Sequence, residues 1–304
     1  ETVTRAERTE TFDALVLCNG HFAVPFSPSY PGTSDFPGRI LHSVEYDDVS
    51  EFAGQRVLVV GTASSGTDIA WELTAVAALV VVSQRSLSEA EAAAIPGDGA
   101  VFRFLDVRDG EQWSALAAEI EERCDRLDIL CNNAGTNVRG VGYEELEIED
   151  YRNIIEVNLN AAYIGSRSVG PAMRRTGGGA IINIGSMGSL KHGGNSAYTI
   201  SKTGILALTK NTALAYAGDG IRCNVICPGH VDTPFIRADR PHSHNDWETS
   251  ADNPEVYAAR LSQTPLGRLV SPEDVARTAL FLCSDESAMI TGAVIPVDGG
   301  CGLL

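Results

Sequence analysis

The sequence predicts an α/β fold: a doubly wound parallel sheet of seven strands in a single main domain, with an N-terminal extension. Three observations predict it. Short runs rich in β-branched residues alternate with segments of helical spacing through most of the 304 residues. The strands are apolar throughout, so both faces of the sheet need helical cover. A glycine-rich turn, Gly61-Thr-Ala-Ser-Ser-Gly66, joins the first of these strands to a helical pattern containing Ile69, Ala70 and Leu73, as a turn leading into a helix N-terminus does.

In chain order, the expected strands are Arg56–Val60, Leu79–Ser83, Val101–Leu105, Asp128–Asn132, Ala180–Ile184, Ile221–Cys227 and Val294–Val297. Helical spacing covers Gln112–Cys124, Asp150–Arg174, Ala197–Ala217 and Ser271–Leu282. Ser271-Pro-Glu-Asp274 reads as a capped start with proline at the first helical position. Strands alternating with helices in this way give a Rossmann-like, dinucleotide-binding architecture. Residues 237–253 are polar, with proline and histidine, and form an insertion after a strand end. The expected boundaries are an extension over residues 1–53 and the main domain over 54–304.

Composition narrows the function classes. With 44% hydrophobic and 21% charged residues, the chain is neither disordered nor fibrous. A net charge of −17 repels nucleic-acid backbones and anionic lipid, so neither is an expected partner. The longest apolar stretches, such as 75–82, are too short to span a bilayer, and the opening residues do not read as a signal peptide. A cytoplasmic location is the expectation. The seven cysteines, Cys18, Cys124, Cys131, Cys223, Cys227, Cys283 and Cys301, include no CxxC pair and read as buried free thiols, without a metal or disulfide.

Tyr198 and Lys202 carry the chemistry. They stand one helical turn apart and therefore share a helix face, and Ser186 follows the strand Ala180–Ile184. An ammonium beneath a phenol favours the phenolate, so Lys202 is expected to pull the Tyr198 pKa down from about 10. The Ser186 hydroxyl would donate to the same substrate oxygen, where charge builds during carbonyl reduction or alcohol oxidation. The chain has only three lysines and eight tyrosines, so chance places such a pair about 0.08 times. An ordinary surface pair is the alternative.

Three further strings appear in order: Asn132-Asn-Ala-Gly135 at a strand end, Asn158 in Val-Asn-Leu159, and Pro228-Gly-His-Val-Asp-Thr233 after a later strand. With the serine, tyrosine and lysine, they make the chain from about Asp98 to Gly300 resemble the short-chain dehydrogenase/reductase family. That resemblance implies a hydride transfer between a nicotinamide cofactor and a secondary alcohol or ketone. Tyr198 would exchange the proton, Ser186 would polarise the oxygen, and Lys202 would bind the nicotinamide ribose. Asn158 would anchor a proton-relaying water; a polar residue bonded within the core is the alternative. Asp106 and Val107 would receive the adenine, and Asn132, Ala134 and Gly135 would line the adenosine side of the groove. Pro228, Gly229 and Val231 would border the cofactor, and Thr233 would bond the carboxamide. The resemblance also implies a substrate lid at the polar insertion, which carries His242, His244, Asp246 and Trp247, and a homotetramer or dimer. The loop residue His192 either reaches substrate or faces solvent.

The first quarter of the chain differs. Phe36, Gly38, His42 and Tyr46 form an FxGxxxHxxxY string, and residues 11–86 resemble flavin-containing monooxygenases. A junction is expected between Ser86 and Asp98, and His42 and Tyr46 are expected to be packing residues. No flavin is expected, because no earlier glycine-rich β-α-β unit precedes Thr11.

For the pyrophosphate, Gly61, Ala63, Ser64, Ser65 and Gly66 are the candidate residues. Ala63 replaces the middle glycine of a GxGxxG turn. After the second strand, Ser83-Gln-Arg-Ser86 offers no carboxylate for a ribose, so Gln84 and Arg85 favour the 2′-phosphate of NADP over NAD. Two rival readings remain: a silent Rossmann-fold scaffold whose hybrid loop no longer binds nucleotide, and a flavin monooxygenase fragment.

Overall fold

The computed structural model describes residues 56–60, 79–83, 100–103, 105–123, 126–191, 195–237 and 245–304. The glycine-rich turn at 61–66, Gln84, Arg85, Cys18, Cys124, His42, Tyr46, His192, His242 and His244 lie outside them.

Seven parallel strands form one sheet: β1 (Arg56–Val60), β2 (Leu79–Ser83), β3 (Ala100–Arg103), β4 (Ile129–Asn132), β5 (Gly179–Ile184), β6 (Ile221–Pro228) and β7 (Val294–Val297), in the order β3-β2-β1-β4-β5-β6-β7. Strand order reverses between β1 and β4, which meet at Val60 and Asn132. In open α/β sheets this switch point opens a crevice beyond the carboxyl ends of the strands.

The described helices are α1 (Gly110–Arg123), α2 (Ile148–Ile155), α3 (Ala161–Arg175), α4 (Ser196–Tyr216), α5 (Pro254–Ser262) and α6 (Pro272–Cys283). Side-chain alternation explains how they cover both faces. Leu130, Ile181 and Cys223 face one side, where Trp113 and Ile120 of α1 and Val169 and Met173 of α3 pack on them. Ile129, Cys131, Ile182 and Ile226 face the other, against Val275, Ala279 and Leu282 of α6. The central strands β4, β5 and β6 are buried on both sides along nearly their whole length, so they show no polar alternation.

Two elements depart from the sequence reading. The helix expected over Asp150–Arg174 is split by a π turn at Glu156–Asn160 between α2 and α3. Helix α5 falls beyond the polar insertion, where no helix was expected. Its start is nevertheless marked in the sequence: Asn253 caps it, accepting from the Glu255 N–H at 3.0 Å, and Pro254 follows.

The capped start of α6 forms as expected. Ser271 Oγ accepts from the Asp274 N–H at 3.3 Å, and the Asp274 carboxylate accepts from the Ser271 N–H at 2.8 Å. Arg268 also donates to that carboxylate, and this bond contributes most to holding the Asp274 pKa down at about 2. Ser271→Ala is expected to cost about 1 kcal/mol, read as a lower urea midpoint with an unchanged slope.

Candidate active site

The carboxyl ends of β4, β5 and β6 converge on one cavity of about 600 Å³. Beyond β5, Ser186 caps a 3-10 turn, Met187–Ser189. Its Oγ accepts from the Gly188 N–H at 3.1 Å, and its own N–H donates to Ser189 Oγ at 3.1 Å. Ser189 Oγ in turn donates to the Lys202 carbonyl at 2.8 Å, which ties the serine turn to the helix that carries the tyrosine and lysine.

Helix α4 is anchored at its first turn. Asn195 Oδ1 accepts from the Tyr198 N–H at 2.8 Å, and its amide donates to Asn137 Oδ1 at 2.9 Å and to the Val138 carbonyl. The loop after β4 therefore fixes where Tyr198 enters the cavity. Sequence reading did not single out Asn195 or Ser189. Asn195 carried a readable signal, as an N-cap residue just before an apolar helical run.

Ser186, Tyr198 and Lys202 all line the cavity. The Ser186 hydroxyl lies near enough to the phenol to favour its charged form. Lys202 Nζ lies 5.9 Å from the centre of the Tyr198 ring and donates to the Ile184 carbonyl at 2.8 Å. Lys202 is only 3% exposed, and burial lowers its pKa to about 8.

The expected direction at Tyr198 needs correction. Burial raises the phenol pKa, opposed by the Ser186 hydroxyl and the positive charge of Arg139. Desolvation penalises the phenolate and the ammonium alike, so in the free cavity the pair does not settle as an ion pair.

Asn158 lies buried in the π turn. Its Oδ1 accepts from the Thr136 N–H at 2.7 Å, and its amide donates to the Thr136 carbonyl at 3.0 Å and to Ser201 Oγ at 3.1 Å. The wider π turn thus carries a clamp between the β4 loop and α4.

Gly135, Pro228, Gly229, Val231 and Thr233 line the same cavity. Gly229 passes so close to the chain after β7 that a Cβ there would stand 2.8 Å from the Asp298 Cα. Asn132 and Ala134 are not among the lining residues. The Asn132 amide donates to Ser166 Oγ at 3.0 Å and Asn183 Oδ1 at 2.9 Å, binding β4 to α3 and β5. Asp106 pairs with Arg108 at 2.6 Å, and the buried Val107 accepts from the Trp113 indole N–H at 2.9 Å. Cavity residues absent from the sequence reading include Arg139, Phe235 and Arg260; no local pattern marks them, since they meet only through the fold.

The described cysteines Cys131, Cys223, Cys227, Cys283 and Cys301 are free thiols, and burial pushes the Cys223 pKa up to about 12. Among the described residues no group of three or more His, Cys, Asp or Glu is placed to hold a metal. Nor is any described helix long and apolar enough to cross a membrane.

Comparison with known proteins agrees with this geometry. A family profile described as enoyl-(acyl carrier protein) reductase matches residues 60–302, and one described as flavin-binding monooxygenase-like matches residues 1–91. The 2,5-dichloro-2,5-cyclohexadiene-1,4-diol dehydrogenase of Sphingobium indicum is 36% identical over 260 residues, covering 83% of this chain and 97% of that protein. The cis-4-hydroxycyclohexanecarboxylate dehydrogenase of Sinomonas cyclohexanicum is 31% identical over 258 residues, covering 83% and 98%. The ligand-free structure of Thermoplasma acidophilum aldohexose dehydrogenase superposes with a TM-score of 0.71 at 28% identity, covering 84% of this chain and 96% of that one. The fold, the converging strand ends and these matches together place the chain in the short-chain dehydrogenase/reductase family of oxidoreductases.

Proposed function

We propose that the protein is an NADP(H)-dependent oxidoreductase of secondary alcohols and ketones, acting through Ser186, Tyr198 and Lys202. The observation that carries this reading is that Ser186, Tyr198 and Lys202, the last one helical turn beyond the tyrosine, line one cavity. The names of two relatives, both dehydrogenases of alcohols on six-membered carbon rings, support a ring-borne hydroxyl as substrate.

The residues at the nicotinamide end fit the cofactor. Lys202 Nζ donates to the Ile184 carbonyl, which leaves two N–H groups for ribose hydroxyls. Gly135 keeps the space beside it open, since a Cβ there would stand 3.5 Å from Nζ. Thr233 Oγ1 makes only a long bond, 3.4 Å, to the Val231 carbonyl and suits a carboxamide. The chemistry that bound NADP(H) supplies is delivery or removal of a hydride at nicotinamide C4. Tyr198 Oη gives its proton to the carbonyl oxygen in reduction and takes the hydroxyl proton in oxidation. Ser186 holds that oxygen in place as its charge changes. Lys202, with its pKa near 8, is suited to pass protons onward near neutral pH. Arg85 and Gln84 are the proposed 2′-phosphate contacts, residues 1–53 a separate monooxygenase-like extension, and the assembly a dimer or tetramer.

A titration with NADPH and NADH, followed by nicotinamide fluorescence and thermal shift, tests the cofactor assignment. NADPH is expected to bind more tightly and to raise the melting temperature, and Arg85→Ala to weaken it at least tenfold. If neither nucleotide binds, the silent-scaffold reading stands instead.

A further inference from the structure

The cavity has a charge anomaly. Its lining includes four cationic side chains, Arg139, Lys191, Lys202 and Arg260, and no aspartate or glutamate, the one carboxylate beside it being the main-chain group of Leu304, in a chain of net charge −17. Lys202 is accounted for above, and Lys191 donates to the Cys301 carbonyl at 2.9 Å. The two arginines are satisfied only in part.

Arg139 comes from the loop after β4 and Arg260 from α5. The Nε atom of each is buried without a hydrogen-bond partner. Arg139 lies over the Phe235 ring at 5.2 Å. Arg260 donates to the Thr249 carbonyl at 2.8 Å and meets His230 Nδ1 at 3.5 Å. Seven other described arginines, Arg108, Arg126, Arg152, Arg174, Arg175, Arg237 and Arg268, pair with carboxylates. No described carboxylate pairs with either cavity arginine. Burial and the charge of Arg139 hold the Arg260 pKa down at about 10, and burial lowers that of Arg139. Two guanidinium groups lining one cavity, each with a buried and unpartnered Nε, are costly unless an anion joins them. Arg139 and Arg260 line the same cavity as Tyr198, so such an anion shares that cavity with the reacting centre.

We infer that Arg139 and Arg260 form an anion subsite that receives the carboxylate of the substrate, making the preferred substrate a hydroxy or keto acid whose carboxylate is remote from the reacting carbon. A planar carboxylate matches the guanidinium fork, and the Phe235 face supports the Arg139 group from behind. The inference rests on the oxidoreductase reading above and adds the charge of the substrate.

The test uses the full chain with saturating NADPH and two arms. In the first, 4-oxocyclohexanecarboxylate and cyclohexanone are compared as substrates by kcat/KM. The acid is expected to be favoured at least thirtyfold, and Arg139→Met to shrink that ratio about tenfold or more. Arg139→Lys, which keeps the charge without the fork, should fall between, and surface Arg268→Met should keep the wild-type ratio. In the second arm, thermal shift is followed with cyclohexanecarboxylate and with cyclohexylmethanol, which needs no turnover. Only the carboxylate should stabilise the wild type, and Arg139→Met should abolish the shift. Reduction of both ketones without preference for the acid, with no shift from the carboxylate, overturns the subsite while leaving the oxidoreductase reading intact. Competition of the carboxylate with NADPH also overturns it, by assigning the arginines to the cofactor. Absence of turnover with a carboxylate-specific, Arg139-dependent shift upholds the subsite and counts against the reaction.

Discussion

Tyr198→Phe is expected to lower kcat for ketone reduction by about 10³-fold. The substitution removes one oxygen from a ring held in place by the Asn195 cap and the α4 backbone, so the cavity keeps its shape and loses its proton donor. The phenol pKa is raised by burial, so at neutral pH the group carries its proton and is set to act as an acid toward a carbonyl. Oxidation needs the phenolate, and its rate should therefore climb as pH rises, whereas reduction should be flat through neutral pH and fall only on the alkaline side. Steady-state rates of both directions across pH, for the wild type and Tyr198→Phe, check this. A variant that keeps a tenth or more of the wild-type kcat would remove Tyr198 from the proton transfer and leave the Ser186 turn without its proposed partner. Ser186→Ala should cost less, because the phenol remains and only a polarising donor is lost.

The sheet was legible because each strand is a short apolar run closed by a polar or glycine-rich turn; β1, β2 and β7 fall on the residues that periodicity marks. The serine, tyrosine and lysine were legible for a different reason, since two of them are tied by helical spacing and the third by a strand end. The π turn was not legible, because the spacing of Ile154, Val157 and Ala161 suits a continuous helix, and only the reach of Asn158 to Thr136 reveals the extra width. The direction of the Tyr198 shift was misjudged by weighing charge proximity without burial: in a site this enclosed, desolvation outweighs the nearby charges. Arg139 and Arg260 are 121 positions apart in the sequence and belong to different elements, so no spacing rule brings them together. The sequence can show which residue types are present, but a shared cavity between such residues is a property of the fold.

Lys202→Met is expected to act in opposite directions on activity and stability. Loss of the ammonium should reduce turnover about 10²-fold or more, yet the cofactor-free protein should become more stable at neutral pH. Lys202 is buried, and its pKa falls from 10.5 to about 8 mainly through desolvation, opposed by the charge of Cys227. The unfolded chain keeps this proton up to about pH 10.5 while the folded chain releases it near pH 8, so between those values the unfolded state binds more protons and wild-type stability rises with pH. The burial penalty is therefore present in full below pH 8 and is lost above it. A shift of this size corresponds to about 3 kcal/mol. Methionine removes that penalty but leaves the Ile184 carbonyl without its donor, at a cost of about 1 kcal/mol, which leaves a net gain of about 2 kcal/mol at pH 7. Denaturant unfolding of both proteins from pH 6 to 10 should show the gap widest at the acid end and closing, then reversing, as pH rises. A Lys202→Met protein that is less stable than the wild type at pH 7, by a margin that does not change with pH, would mean that the ammonium is compensated in the folded chain, so that the cavity does not strain it. NADPH should narrow the gap as well, because ribose hydroxyls would satisfy the two N–H groups that the Ile184 carbonyl leaves open.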